Sequence, residues 1–340
     1  MKKLLLLLSF LFISFQVLPQ DDKTKLKDFI SEGIKLHDLK KYDEAIASYK
    51  EALKIEPTNP SANYEIAFSL MSKGETKNAI PYLEKVTKTK NNVSVSAFDM
   101  LGSIYDDMGK KDKAIEYFNK AIEADPTYQR IYFNAAVTSV RMGKDKEALA
   151  YLLTALKLDP NHASSHNLYA ELMMKSSTTK IDAILAYCNF LILEPTSERS
   201  VSAYKNLKAL MGSGVSDSPK GNTISIGSGG DTEQNAANLS VSISGLSAMI
   251  PGLSENGKLE QQLKSIFSTV GEISSRKADK GFFWTFYADY FGKIGKSEYM
   301  PLVAHIIGFT DNEKENEKWI KDNEVQFVKF GKWEEENGRK

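Results

Sequence analysis

The chain of 340 residues is long enough for about two domains, each with its own core. Apolar residues make up 42% of it and charged residues 26%, and the mean hydropathy of -0.34 excludes a polytopic membrane protein. Basic and acidic residues number 44 each, whereas a nucleic-acid-binding protein normally carries a basic excess that releases counterions. We therefore expect a globular protein that does not bind nucleic acid.

The first 20 residues have the layout of a secretory signal peptide. Lys2 and Lys3 give a positive start, and a mainly apolar run follows from Leu4 to Phe15. The run is too short for a permanent transmembrane helix, which needs about 18 or more apolar residues. We predict that residues 1–20 are cleaved on export, leaving no stable membrane span and a mature protein that is periplasmic or secreted.

A spacing of 34 or 35 residues recurs between residues 26 and 197. Small residues follow two ladders with this spacing, and a large residue comes four positions after each member of the second ladder. The first ladder is Gly33, Ala67, Gly102, Ala136 and Ala170, the second is Ala45, Ala79, Ala114, Ala148 and Ala183, and the large residues are Tyr49, Leu83, Phe118, Leu152 and Tyr187. Such a period indicates stacked helix pairs. The predicted repeats are 26–59, 60–94, 95–128, 129–162 and 163–197.

Proline marks the end of four of these repeats. Because proline lacks the amide donor and clashes with the preceding turn, we expect it to end the second helix of each pair. The four residues are Pro57, Pro126, Pro160 and Pro195, while Asn91 stands at the end of the second repeat. The helix predicted from Glu198 to Met211 would then cap the stack, so that residues 21–211 form one domain.

Two segments resemble the tetratricopeptide repeat family, KYDEAIASYKEALKIEP at residues 41–57 and KAIEYFNKAIEADP at residues 113–126. The resemblance covers about residues 26–197. It implies an all-α fold, a right-handed α-solenoid whose concave surface is lined by the first helix of each repeat. It also implies that this surface binds a protein or peptide.

Alignment of the repeats places sixteen residues, including Ile30, His37, Ser103 and Met174, towards the concave surface, and the other twelve are the predicted groove residues. They are Ile34, Tyr64, Phe68, Met71, Asp99, Asp106, Arg130, Phe133, Val137, Arg141, Asn167 and Glu171. The groove would be apolar in its first part, acidic in the middle and then basic, which suits a segment with apolar anchors and both charges. The alternative is that some of the aromatic residues only pack between helices.

One variant of the family clamps a C-terminal carboxylate with basic and amide side chains. At the corresponding positions this chain carries Ile30, Ile34, Glu65, Ser96 and Met100. The clamp is therefore missing, and binding of a chaperone tail is not expected.

Residues 212–257 are rich in Gly, Ser, Asn and Asp, and the helical periodicity stops there. Apolar and small polar residues alternate at 223–226 and at 239–243, a pattern that predicts a short β-hairpin. A flexible linker is the other interpretation, because an isolated hairpin is marginal in water.

Residues 258–340 regain a helical pattern and are predicted to form a small C-terminal module. The aromatic run from Phe282 to Phe291 favours a domain core over a membrane-inserting or partner-binding surface, because it is short and interrupted. The spacing of Trp319, Phe327, Phe330 and Trp333 resembles C-terminal modules of exported tetratricopeptide proteins of Bacteroidota-type bacteria, which implies no activity.

No residue pattern predicts catalysis, a cofactor, a metal site or a small-molecule substrate. His162 and His166 have the i,i+4 spacing of a metal pair, but the alignment places His162 in a loop. Cys188 is expected to be a buried thiol, and no nucleophile or phosphate-loop motif is present. We predict a non-enzymatic adaptor.

Two alternatives to the adaptor remain. The C-terminal module could be a hydrolase or bind a ligand with His305 and either Asp289 or Glu298, which would have to converge in one cleft. In the other, the linker or the aromatic run occupies the groove and limits access to it.

Overall fold

The computed structural model describes residues 20–89, 92–212, 215–216, 223–224, 232–246 and 250–339. They divide into two compact units, an N-terminal unit that ends at Asp125 and a C-terminal unit that begins at Pro126. The predicted signal peptide lies outside the described residues, apart from Gln20, which begins the first helix. Over the described ranges, no helix is both long and apolar enough to cross a membrane.

The N-terminal unit consists of consecutive helix pairs. Its helices are α1 (Gln20–Asp38), α2 (Tyr42–Ile55), α3 (Pro60–Ser72), α4 (Thr76–Val86), α5 (Asn92–Asp107) and α6 (Lys111–Ala124).

The C-terminal unit begins with two further helix pairs and continues into the C-terminal module. Its helices are α7 (Gln129–Arg141), α8 (Asp145–Leu158), α9 (Ala163–Met173), α10 (Lys180–Leu193), α11 (Glu198–Gly212), α12 (Thr232–Ser244), α13 (Glu255–Arg276), α14 (Asp289–Gly295), α15 (Met300–Ile307), α16 (Glu313–Asp322) and α17 (Glu324–Asn337). Two short strands, β1 (Val215–Ser216) and β2 (Thr223–Ile224), pair antiparallel.

A residue with positive φ makes the turn inside each of the first four helix pairs. Gly74, Gly109 and Gly143 have φ of 85°, 73° and 72°, a conformation that costs glycine nothing because it has no Cβ. In the first pair Lys40 stands at the equivalent position with φ of 60°. The sequence therefore forms these turns with glycine in the second, third and fourth pairs and with a strained lysine in the first pair.

The two ladders of small residues lie where the paired helices touch. A Cβ on Gly33 would lie 2.3 Å from Tyr49, and a Cβ on Gly102 would lie 2.4 Å from Phe118. All five alanines of the second ladder are fully buried. The predicted pattern of small and large residues is confirmed, and each of these two rings packs directly on the glycine of its own repeat.

The four prolines follow second helices as predicted. α2, α6, α8 and α10 end two residues before Pro57, Pro126, Pro160 and Pro195. The residues just before the prolines cap these helices with φ between -134° and -146°. Proline disfavours the helical conformation of the residue before it, so the helix stops there.

Helix α10 lies at the centre of the C-terminal unit. Every residue from Ile181 to Leu191 is buried, and the helix contacts α9, α11, α12 and α15. A helix that is apolar on all sides must be covered on all sides. The last helix pair and the C-terminal module therefore share one core, whereas the sequence predicted that a linker at 212–257 separates them.

The predicted hairpin between residues 223–226 and 239–243 is wrong. Residues 239–243 lie in α12, and Thr223–Ile224 pairs with Val215–Ser216 instead. The alternation of apolar and serine residues is also compatible with a helix, because small serines pack inside a helix when their hydroxyls are hydrogen-bonded. Ser240 and Ser244 donate to the carbonyls of Ala237 and Val241, both at 2.7 Å.

The aromatic run belongs to the core, as predicted. Phe283, Trp284, Phe286 and Tyr287 are buried, and residues Trp284–Ala288 form a π-helical turn that leads into α14. The carbonyl of Trp284 accepts from Ser274 of α13 at 3.2 Å. The turn therefore joins the aromatic run to the module by backbone contacts as well as by side-chain packing.

Candidate functional site

Five residues of α1 and α3 form a surface that we call the first-helix surface: Ile34, His37, Asp38, Glu65 and Phe68. Residues three or four apart on a helix share a face, so both helices contribute neighbouring side chains. The rings of His37 and Phe68 stack with centroids 4.7 Å apart. Ile34 and Phe68 are 41% and 42% exposed. The N-terminal unit thus presents an apolar and aromatic strip to solvent.

Two carboxylates border this strip. Burial and the negative charge of Asp38 both raise the pKa of Glu65, with burial the larger cause. Neither carboxylate has a lysine or arginine within ion-pair distance in the described part of the chain, whereas Asp43 pairs with Lys73 at 2.6 Å. The first-helix surface therefore carries uncompensated negative charge.

The other groove residues predicted in the N-terminal unit are less accessible. Tyr64, Met71 and Asp106 are half-buried. Asp99 is only 2% exposed, so the structure buries a side chain that the alignment placed on the groove. Its neighbours along α5, Ala97, Met100 and Leu101, are also buried, and Asp99 makes a polar or electrostatic interaction.

In the C-terminal unit, Arg130, Arg141 and Glu171 are exposed, while Phe133, Val137 and Asn167 are half-buried. The Phe133 ring meets His162 edge-on, with centroids 4.8 Å apart. Asn167 donates to Glu171 at 2.8 Å. Phe133 therefore packs on a neighbouring side chain, as the alternative interpretation of the aromatic residues expects.

His166 belongs to a buried polar network rather than to a metal pair. Its Nδ1 lies 2.8 Å from the Tyr287 hydroxyl, and its Nε2 lies 2.8 Å from both Asn189 Nδ2 and the Pro160 carbonyl oxygen. His162 caps α9 and lies 2.8 Å from Ser165. The network ties the last helix pair to the π-helical turn.

The burial of His166 should make the stability of the fold depend on pH. Burial, and then the positive charge of Arg339, lower the pKa of His166 to about 3. Between about pH 6.5 and 3 the unfolded chain binds a proton that the folded chain does not, so acidification destabilises the fold by about 1.4 kcal/mol per pH unit. Urea unfolding from pH 7 to pH 4 should show this extra slope relative to His166→Gln, which cannot titrate. Parallel slopes would contradict the burial.

Arg339, which is distant in sequence, also belongs to this network. Its Nε donates to the Phe286 carbonyl and its Nη1 to Asn189 Oδ1, both at 2.7 Å. Its guanidinium carbon lies 3.9 Å from the Tyr290 ring centroid, in cation–π contact. Sequence analysis missed Arg339 and Asn189 because nothing local predicts a contact across 150 positions.

His305 and Asp289, two of the three residues named for a hydrolase, have separate partners. His305 Nδ1 lies 2.6 Å from Asn316 and its ring stacks on Trp319 at 4.0 Å, while Asp289 accepts from Ser274 and Lys280. Neither is hydrogen-bonded to the other. Cys188 is fully buried, and burial raises the pKa of its thiol. Among the described residues, no three His, Cys, Asp or Glu side chains group as metal ligands.

The aromatic run packs on α9 within the C-terminal unit. Phe286 contacts His166, and Phe282 contacts Tyr169, with ring centroids 6.0 Å and 6.1 Å apart. Neither His166 nor Tyr169 was among the predicted groove residues. These contacts explain the burial of the aromatic run without placing it in the groove. The other form of that alternative, in which the linker occupies the groove, concerns residues of 212–257 that lie outside the described ranges.

Comparison with known families identifies the repeats. Residues 33–80 match the model described as TPR repeat, and residues 95–128 and 129–162 match the one described as Tetratricopeptide repeat. The last two matches have the limits predicted for the third and fourth repeats. Tetratricopeptide repeats are therefore supported in both units.

Similar proteins match only part of their own length. A TPR repeat-containing protein of Methanocaldococcus jannaschii is 28% identical over 136 residues, which is 40% of this chain and 24% of that protein. The peroxisomal targeting signal receptor of Saccharomyces cerevisiae is 24% identical over 140 residues, 41% of this chain and 22% of the receptor. The chain thus spans less than a quarter of either relative. The solved structure of PilF of Pseudomonas aeruginosa has a TM-score of 0.46 and 18% identity, over 56% of this chain and 91% of PilF.

Proposed function

We propose that the protein is a non-enzymatic adaptor that binds a segment of another protein on the first-helix surface. The observation that carries the proposal is the exposure of Ile34 and Phe68, because large apolar side chains side by side on a surface favour a protein contact. Phe68 is held flat by the His37 ring, so its aromatic face is ordered before a partner arrives.

Tetratricopeptide repeats support this proposal in general terms. Proteins with these repeats mediate protein–protein interactions, and one relative of this chain is by name a receptor for a targeting signal. The equal numbers of basic and acidic residues favour a protein partner over nucleic acid.

The test compares capture of partners by the full chain and by the double variant Ile34→Ala with Phe68→Ala. Truncating two central anchors should reduce the captured amount about tenfold or more. A matched control is Val201→Ala with Val325→Ala, because both valines are exposed, at 55% and 69%, and lie on α11 and α17. Equal capture by all three proteins would refute the assignment of the first-helix surface.

Export is the second part of the proposal, and the pattern from Lys2 to Phe15 supports it. The expected product is a mature chain that begins near residue 21 in the periplasm or the medium. Cell fractionation and N-terminal sequencing provide the test. An intact N-terminus in the cytosolic fraction would refute export and leave the adaptor proposal standing.

A further inference from the structure

We propose that the segment bound on the first-helix surface carries lysine or arginine side chains next to apolar ones. This inference rests on the proposed function and specifies the chemistry of the partner. The apolar side chains would cover Ile34 and Phe68, and the cations would meet Asp38 and Glu65.

The aromatic side chains of the first-helix surface are held in a fixed geometry. His37 and Phe68 stack with an interplanar angle of 17°, and Tyr42 meets His37 edge-on at 5.1 Å. His37 is further held by a contact of 2.8 Å between its Nδ1 and the Ser69 hydroxyl. A fixed aromatic face suits aliphatic groups, and it also suits the flat guanidinium of arginine.

Two carboxylates, Asp38 and Glu65, lie at the border of the apolar strip. Several acidic side chains of the N-terminal unit have basic partners, such as Glu51 with Lys54 and Glu116 with Lys120, both at 2.6 Å. Asp38 and Glu65 have no such partner in the described ranges, and they lie close enough for the charge of one to act on the other. The surface thus keeps two carboxyl groups together without a basic partner.

A bound segment would remove water from Glu65, which is already half-buried. Desolvating a carboxylate is costly unless a cation or hydrogen-bond donor replaces the water. A basic segment supplies the cation, whereas an acidic one would be repelled and a neutral one would leave the charge unpaired. The surface therefore selects against two of the three charge classes.

The experiment measures binding of three fluorescein-labelled ten-residue peptides to the full chain. All have the same leucine and phenylalanine positions, and the remaining positions are lysine, serine or glutamate. We expect the lysine peptide to bind about tenfold more tightly than the serine peptide, since two partly desolvated ion pairs separate them. The glutamate peptide should bind more weakly than either.

Asp38→Asn with Glu65→Gln should bring the lysine and serine peptides to within about twofold of each other. The control Glu51→Gln with Glu116→Gln makes the same change in net charge on the second helices and should keep the preference. If the lysine and serine peptides bind the parent protein equally, and neither binds Ile34→Ala with Phe68→Ala, this inference is wrong but the proposed function stands. If that apolar double variant binds every peptide as the parent does, or no peptide binds, both fail.

Discussion

Replacing Tyr287 with alanine should lower the free energy of unfolding of the C-terminal unit by about 4 kcal/mol, because large-to-small changes of a buried aromatic leave a cavity. Tyr287 is completely buried, and its ring stacks on Tyr169 with centroids 5.4 Å apart. Its hydroxyl also lies against His166 Nδ1. The substitution thus removes packing and hydrogen bonding at the junction between α9 and the π-helical turn.

Urea unfolding measures the total loss in the free energy of unfolding, and hydrogen exchange shows which helices are destabilised. Because α10 lies in the same core, its amides should exchange faster in the variant, while amides of the N-terminal unit should not change. Tyr287→Phe removes only the hydroxyl and should cost about 1–3 kcal/mol. Phe327→Ala is the control, because Phe327 is 47% exposed and an exposed truncation should stay within about 0.5 kcal/mol. A loss below that of Tyr287→Phe would contradict the described junction.

The repeats were predictable from the sequence because each depends on short-range rules. Gly33 and Tyr49 are 16 positions apart, and the same close approach recurs between Gly102 and Phe118. The turn at Gly109 and the helix end before Pro126 follow from backbone preferences of single residues. Periodicity repeated five times averages out local exceptions such as Asn91.

The sequence of α10 contains a signal for the packing of the C-terminal module on the last helix pair. Helix α10 reads KIDAILAYCNFLIL, with apolar residues on every face, whereas α6 and α8 keep polar residues on one face. An all-apolar helix predicts full burial and therefore a further covering layer. Which helices provide that layer could not be predicted, because contacts such as Asn238 with Ile181 join distant segments through tertiary structure.

The sequence predicted only part of the candidate site, because the position of some side chains depends on tertiary packing. Ile34 and Phe68 could be placed on an exposed face by alignment, and the structure exposes both. Asp99 could not be placed correctly, because its burial depends on how α5 packs. The sequence shows Glu65 only as a departure from the carboxylate clamp. Its proximity to Asp38 could not be predicted, because it depends on how α1 packs against α3.

Replacing Gly271 with alanine should destabilise the C-terminal module by about 3 kcal/mol, the upper part of the range for overpacked cores. A Cβ on Gly271 would lie 2.5 Å from the Cα of Gly292, so α13 and α14 cross with two glycines in contact. Backbone atoms cannot rotate away, and ordinary contact needs at least 3.4 Å, so one helix must move. Gly331→Ala is the matched control, because nothing lies within 4 Å of its Cβ position in α17.

The double variant Gly271→Ala with Gly292→Ala tests the mechanism of that loss. Each new methyl would press on the same crossing, since a Cβ on Gly292 likewise lies 2.5 Å from the Cα of Gly271. Once the first methyl has separated the helices, much of the second penalty has already been incurred, so the two losses should sum to less than independent effects. Strict additivity in chemical denaturation would mean that the two glycines do not share one contact. A gain in stability, as alanine normally gives inside a helix, would mean that α13 and α14 do not cross there at all.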